Sequence, residues 1–202
     1  MTTVVIPFAG VDGKTRLHGS RRLRRELSLA MLGDVVAAAL PVGRTRVVTS
    51  DDDGAALARD AGAEAVADPG GGQGQAVRAA LAGVEPGGIV IANADLPCAT
   101  PHDLRGLLAA TPAGGVALVE ALDGTTNALS IPTPEVFSPL YGPDSARRFL
   151  AHADGLGLQA VSAAVPNLAD DVDTLDDLER LHLRLGPRTQ ACLATLAAEE
   201  RG

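Results

Sequence analysis

Short β-rich runs alternate with helical patterns along almost the whole chain, and this alternation limits the fold more than any other feature. Thr2 to Phe8 reads as a first strand. Leu27, Met31, Val35 and Ala38 then recur at helical spacing, which predicts a helix from about Leu23 to Leu40, closed by Pro41. Arg46 to Thr49 follows as a buried strand, Ala55 to Ala61 as a short helix with Gly62 at its end, and Ala63 to Ala67 as a return to the sheet. A helix from about Gln75 to Ala82, the apolar run Gly88 to Ala92, a helix Asp103 to Ala110 and a strand Val116 to Ala121 continue the pattern. Ala128 to Ile131 and Leu158 to Ala164 read as extended, Ser145 to Ala153 as helical, and the tail as two helices begun by Thr174 and Pro187. The expectation is an α/β fold with a mostly parallel mixed sheet flanked by helices. With 202 residues, 46% of them apolar, one domain over residues 1–202 can bury a sizeable core.

Composition removes several classes of function. A net charge of −8 opposes a broad nucleic-acid-binding face or an anionic membrane surface. Aromatics are 2% with no Trp, which leaves no stacking platform for single-stranded nucleic acid. No window approaches the roughly 18 apolar residues of a membrane span, and the opening MTTVVIPFAG lacks a secretory leader pattern. Cys98 and Cys192 stand far apart, outside any metal-ligand spacing, so a reducing cytoplasm is expected. His18, His102, His152 and His182 share no metal or catalytic spacing and read as surface or satisfied residues, and Cys98 as a packed thiol.

In an open α/β sheet, ligands bind beyond the carboxyl ends of the strands. That rule selects four loops. The first, after the opening strand, carries Lys14 and Arg16 among glycines, two cations suited to a polyphosphate, though a solvated basic loop has the same appearance. It is not a Walker A motif, because the first glycine is missing at the required spacing. The second is Asn93-Ala94-Asp95-Leu96-Pro97: a carboxylate where a buried strand emerges is a candidate Mg²⁺ ligand or a helix cap. The third is Asp170-Asp171-Val172-Asp173-Thr174, where alternation along an extended segment puts Asp171 and Asp173 on one side. Thr174 with Asp177 also makes a capping box, so one acid here can simply serve the helix. The fourth is Tyr141-Gly142-Pro143-Asp144-Ser145, with Arg147 and Arg148 in the first turn of a helix, where an anion at the N-terminus would offset their conflict with the dipole. The turn Asp123 to Asn127 offers further hydroxyls.

Taken in order, Gly13-Lys14-Thr15-Arg16-Leu17, Ala30-Met31-Leu32-Gly33-Asp34-Val35, Ala67-Asp68-Pro69, Ala94-Asp95-Leu96-Pro97, Thr126-Asn127-Ala128-Leu129, Tyr141-Gly142-Pro143-Asp144-Ser145-Ala146-Arg147 and Asp171-Val172-Asp173-Thr174 resemble the phospholactate/phosphoenolpyruvate guanylyltransferases of coenzyme F-420 biosynthesis. The resemblance spans about residues 3 to 195. It implies a nucleotidyltransferase, glycosyltransferase-A-like version of the dinucleotide-binding fold, and a reaction in which phosphoenolpyruvate or 2-phospho-L-lactate attacks the α-phosphorus of GTP and pyrophosphate leaves. By position it implies Asp95, Asp171 and Asp173 as Mg²⁺ ligands and Lys14 and Arg16 at phosphates. Thr126, Gly142, Ser145 and Arg147 would then meet the phosphorylated three-carbon acid, and Gly72 and Gly74 would line the nucleotide site. An unstable product also implies transient hand-over to the next pathway enzyme. Two segments depart from the family pattern. Gly72-Gln73-Gly74-Gln75-Ala76 replaces Gly-Leu-Asn-x-Ala, and Asp123-Gly124-Thr125-Thr126 replaces Gly-Thr-Gly-Thr. Two rivals stay open: a molybdopterin- or sugar-phosphate-type nucleotidyltransferase, whose Gly-Gly-x-Ser-x-Arg type loop Ala9-Gly10-Val11-Asp12 does not match, and a catalytically silent nucleotide-binding relative.

Overall fold

The computed structural model describes residues 1–10, 17 and 20–199. Seven strands form one mixed sheet: β1 (Thr3–Pro7), β2 (Arg44–Thr49), β3 (Glu64–Ala67), β4 (Ile89–Ala92), β5 (Val116–Glu120), β6 (Thr126–Ile131) and β7 (Ala160–Ser162). Their spatial order is β3-β2-β1-β4-β6-β5-β7. Strand β1 pairs in parallel with both β2 and β4, β3 extends that parallel block from β2, and β6 runs antiparallel to its neighbours β4 and β5. The mostly parallel sheet expected from the alternating pattern is therefore present. The reversal of β6 brings its first residues, Thr126 and Asn127, to the edge where the parallel strands end.

Helices α1 (Arg21–Ala39), α2 (Asp52–Ala61), α3 (Gln73–Leu81), α4 (Pro101–Ala110), α5 (Ser145–Gly155), α6 (Pro166–Ala169), α7 (Leu175–Leu181) and α8 (Pro187–Glu199) complete the described elements with a short 3₁₀ turn at Pro134–Val136. Period-two alternation splits the strand side chains between two cores. Val4 and Ile6 pack with α1 and with Leu104 and Leu107 of α4. Val5 packs on the other face with α3 residues Ala76, Val77 and Ala80 and with Phe149 of α5.

Several boundaries lie earlier than the apolar spacing predicts, and capping explains why. Asp51 accepts the Gly54 N–H at 2.8 Å, so α2 begins at Asp52 rather than Ala55, through an acidic triplet whose charges favour a helix N-terminus. Thr100 and Asp103 form a capping box that starts α4 at Pro101. Strand β7 is shorter than the segment read as extended, because only Ala160 to Ser162 find ladder partners on β5.

The C-terminal helix is tied down by a buried charge. Asp34 of α1 accepts the Arg188 and Thr189 N–H groups at 3.0 and 2.9 Å and the Thr189 hydroxyl at 2.7 Å, which caps α8 from another helix. Gly186 packs so closely against this carboxylate that a Cβ there would lie 2.3 Å from Asp34 Cγ. Replacing Asp34 with Ala leaves the α8 N-terminus uncapped, and chemical denaturation should register a loss of about 2–3 kcal/mol.

Candidate active site

The carboxyl ends of β1 and β4 are adjacent, yet the chain leaves them in opposite directions across the sheet, a topological switch point where open α/β sheets take ligands. A cavity of about 240 Å³ lies there. Phe8, Ala9 and Gly10 line it after β1, Asp68 after β3, Gly72, Gln73 and Ala76 at the start of α3, and Asn93, Ala94 and Asp95 after β4.

Asp95 does not stand alone. Asp95, Asp171 and Asp173 each bring one carboxylate oxygen within 4.8 Å of the others, and all three are half-buried. The backbone enforces this approach, since the Val172 N–H donates to the Asp95 carbonyl at 3.1 Å and pins the second acidic loop to the end of β4. Val172 itself is fully buried between the two outward-facing acids, as extended alternation requires. Burial, reinforced by the charge of Asp95, raises the pKa of the Asp171 carboxyl. Asp170, one residue away, is treated oppositely. Burial works against its ionisation, but hydrogen bonds from Arg184 at 2.5 Å and Arg180 at 2.6 Å hold it below the usual carboxylate range. The two arginines thus neutralise Asp170, which stands outside the acidic triad. Three hard oxygen donors in mutual repulsion form a set that could hold a divalent cation.

Side-chain amides link this triad to the cavity wall. Gln73 Nε2 donates to Asn93 Oδ1 at 2.7 Å, Asn93 Nδ2 reaches Asn127 Oδ1 at 3.5 Å and the Thr126 carbonyl at 3.2 Å, and Asn127 Nδ2 donates to Asp171 Oδ1 at 3.2 Å. An ionised carboxylate can only accept, so it fixes the direction of every amide behind it. Asn127 also donates to the Ala169 carbonyl at 3.1 Å, locking its own orientation. Neither Asn93 nor Asn127 stands out in the sequence as a candidate site residue. The only sequence signal for them is adjacency to Asp95 and Thr126, because their partnership is between distant strands.

The remaining candidates separate clearly. Lys14 and Arg16 lie outside the described residues. Gly72 lines the cavity in a loop whose three consecutive glycines, Gly70 to Gly72, all have left-handed φ of 82, 87 and 90°, a path that side-chain-bearing residues resist. Gly74 is buttressed elsewhere: a Cβ there would lie 2.4 Å from Pro139 Cβ, so glycine allows α3 to approach the segment before α5. Thr126 and Ser145 are both buried and joined by a 3.1 Å hydrogen bond from the Ser145 hydroxyl to the Thr126 hydroxyl. The Gly142 carbonyl accepts the Ser145 N–H at 3.0 Å, completing the turn into α5. Arg147 is exposed, whereas Arg148 folds back, donating to the Tyr141 carbonyl at 3.1 Å, with its buried Nε unpartnered among the described residues. His152 meets the Val136 carbonyl and His182 the Glu179 carbonyl, while burial raises the Cys98 thiol pKa, so none of these resembles an activated group.

The family model for guanylyl transferases of the CofC-like type matches residues 2–192. The chain belongs to that family. A phosphoenolpyruvate guanylyltransferase from Streptomyces scabiei is 38% identical over 211 residues, covering 96% of this chain and 96% of that protein. One from Nocardia farcinica is 37% identical over 191 residues, covering 88% and 82%. A nucleotidyl transferase structure from Methanothermobacter has the same fold, with a TM-score of 0.67 at 18% identity, covering 96% of this chain and 99% of that one. This CofC-type chain is thus a nucleotidyltransferase-fold enzyme. Among its described residues no helix is long and apolar enough to cross a membrane.

Two measurements probe the triad. A carboxyl whose pKa is raised on folding favours the folded state below its unfolded pKa, and that contribution is lost as pH rises through the folded value. Asp171→Asn should therefore raise the cation-free melting temperature at neutral pH by roughly a few °C, while abolishing most of the gain that millimolar Mg²⁺ gives the wild type. Asn127→Leu removes the donor that orients Asp171, and Mn²⁺ affinity followed by electron paramagnetic resonance should fall about tenfold.

Proposed function

We propose that this chain transfers a guanylyl group from GTP to phosphoenolpyruvate, releasing pyrophosphate. The observation that carries the reading is the convergence of Asp95, Asp171 and Asp173 beside the switch-point cavity, in a chain that matches the family model nearly end to end. Phosphoenolpyruvate is the acceptor in the names of the relatives.

In this reaction an oxygen of the acceptor phosphate attacks the α-phosphorus of GTP. A new phosphoanhydride bond forms as the bond from the α-phosphorus to the bridging oxygen breaks, and the electron pair leaves with pyrophosphate. The acceptor phosphate is already ionised near neutrality, so no general base is required, in keeping with His152 and His182, which are engaged by backbone carbonyls. The difficulty is electrostatic, because both reactants are anions that must approach in line. A divalent cation, proposed as Mg²⁺, held by Asp95, Asp171 and Asp173 would supply positive charge between them.

The chain's own groups divide the remaining work. Lys14 and Arg16 meet the polyphosphate of GTP, and the side-chain-free turn at Gly70 to Gly72 leads into the N-terminus of α3, which has no side-chain cap and whose positive end favours anions. The paired hydroxyls of Thr126 and Ser145, the Gly142 turn and Arg147 hold the acceptor. Arg148 lends a second guanidinium to that end, since its Nη2 packs beside Gly142. The Asn127 amide, donating to Asp171 Oδ1, fixes the orientation of the Asp171 carboxylate toward the cation. The mixed anhydride product is activated, so direct transfer to the enzyme that consumes it is part of the proposal.

The deciding experiment incubates the purified chain with each nucleoside triphosphate, Mg²⁺ and phosphoenolpyruvate, 2-phospholactate or 3-phosphoglycerate in turn, and identifies products by mass. The expected product is guanylylated phosphoenolpyruvate with stoichiometric pyrophosphate. Asp173→Asn should cut pyrophosphate release by about a hundredfold or more at unchanged circular dichroism. Near-normal turnover in a folded variant would remove the acidic triad from the mechanism.

A further inference from the structure

The cavity contains a carboxylate at each end of the parallel block. Asp95 follows β4 and Asp68 follows β3, and both line the same space. In the order β3-β2-β1-β4 the two lie three inter-strand steps apart, about 14 Å at ordinary strand spacing. That distance is comparable with the reach of a purine nucleotide from its α-phosphorus to the outer edge of its base. A nucleotide whose α-phosphate is drawn to the acidic triad therefore brings its base edge to Asp68. Between the two ends the walls include Phe8, Met31 and Ala76, apolar groups of the kind that accept the faces of a purine.

Asp68 is held in place. Its N–H continues the sheet by donating to the Thr49 carbonyl at 3.2 Å, and its Oδ1 accepts the Gly70 N–H at 2.8 Å. The glycines that follow carry no side chain to cover it. A carboxylate facing a polyphosphate ligand is repelled by that ligand's charge unless the base supplies hydrogen-bond donors. Guanine does so through its adjacent N1–H and exocyclic N2 amine. Adenine cannot, because its N1 is an acceptor.

We propose that Asp68 selects the base of the nucleotide, accepting hydrogen bonds from N1–H and the N2 amine of guanine. The inference rests on the guanylyl-transfer reading and adds to it the residue that chooses guanine.

The test exploits xanthosine triphosphate, in which an acceptor oxygen replaces the N2 amine. At position 68 an asparagine can accept from N1–H and donate to that oxygen, whereas the native carboxylate repels it. Pyrophosphate release is measured for wild type and Asp68→Asn with GTP, inosine triphosphate and xanthosine triphosphate, using phosphoenolpyruvate and Mg²⁺. The wild type should prefer GTP over both analogues. In the variant, kcat/KM for GTP should fall about ten- to a hundredfold, the preference for GTP over inosine triphosphate should disappear, and kcat/KM for xanthosine triphosphate should exceed the wild-type value. A variant that keeps the wild-type preference for GTP, or loses all three nucleotides equally, overturns the assignment. Calorimetric binding of GTP and xanthosine triphosphate to both proteins reads the same reversal without turnover. A wild type that binds GTP but releases no pyrophosphate therefore removes the transfer reading while still deciding the role of Asp68.

Discussion

Three like charges within 4.8 Å of one another are the constraint around which the rest of the molecule is arranged. Repulsion of this kind would open a loop left to itself. Here each acid has a separate support. Asp95 leaves a fully paired central strand, and the second acidic loop is tied to it by one backbone hydrogen bond. Asn127 holds one oxygen of Asp171, and two arginines neutralise the neighbouring Asp170. The raised pKa of Asp171 records the remaining conflict between burial and charge. Structure that is unfavourable by itself becomes favourable when positive charge arrives, which is how a binding site differs from a stabilising ion pair.

The sheet provides the frame for this arrangement. Parallel strands deliver loops after β1, β3 and β4 to one edge, and the antiparallel β6 contributes its beginning to the same edge. The nucleotide half of the proposed site is thereby built on the parallel block, and the acceptor half on β6 and the entrance to α5. The amide chain through Gln73, Asn93 and Asn127 crosses the boundary between them. Its members come from a helix, a strand end and a neighbouring strand, so the halves are held in register by side chains as well as by the sheet.

Much of this was legible in the sequence because it depends on local pattern. The alternation of apolar runs named the fold class, and the spacing of Asp171 and Asp173 around Val172 placed both acids on one side of an extended segment, as the buried Val172 bears out. Local capping chemistry is partly legible: Thr174 with Asp177 has the spacing of a capping box, whereas apolar spacing alone starts α2 at Ala55 and does not show the Asp51 cap. What could not be read were long-range partnerships. Asp34 meets Thr189 across 155 positions, and Asn93 meets Asn127 only because β4 and β6 are neighbours. Gly74 reads as a member of a glycine-rich ligand loop, yet it abuts Pro139, a contact that exists only once the chain is folded.

The reversal of β6 has an evolutionary consequence. Thr126 stands immediately after the hairpin from β5, whose tip carries the exposed Leu122 and the Asp123 turn. Under the proposed function, changes in the length or charge of that hairpin alter the acceptor end of the site while leaving untouched the crossover units of the nucleotide end. Descendants of such a chain can exchange one reactant and keep the other, a modularity that follows from a single strand running against its neighbours.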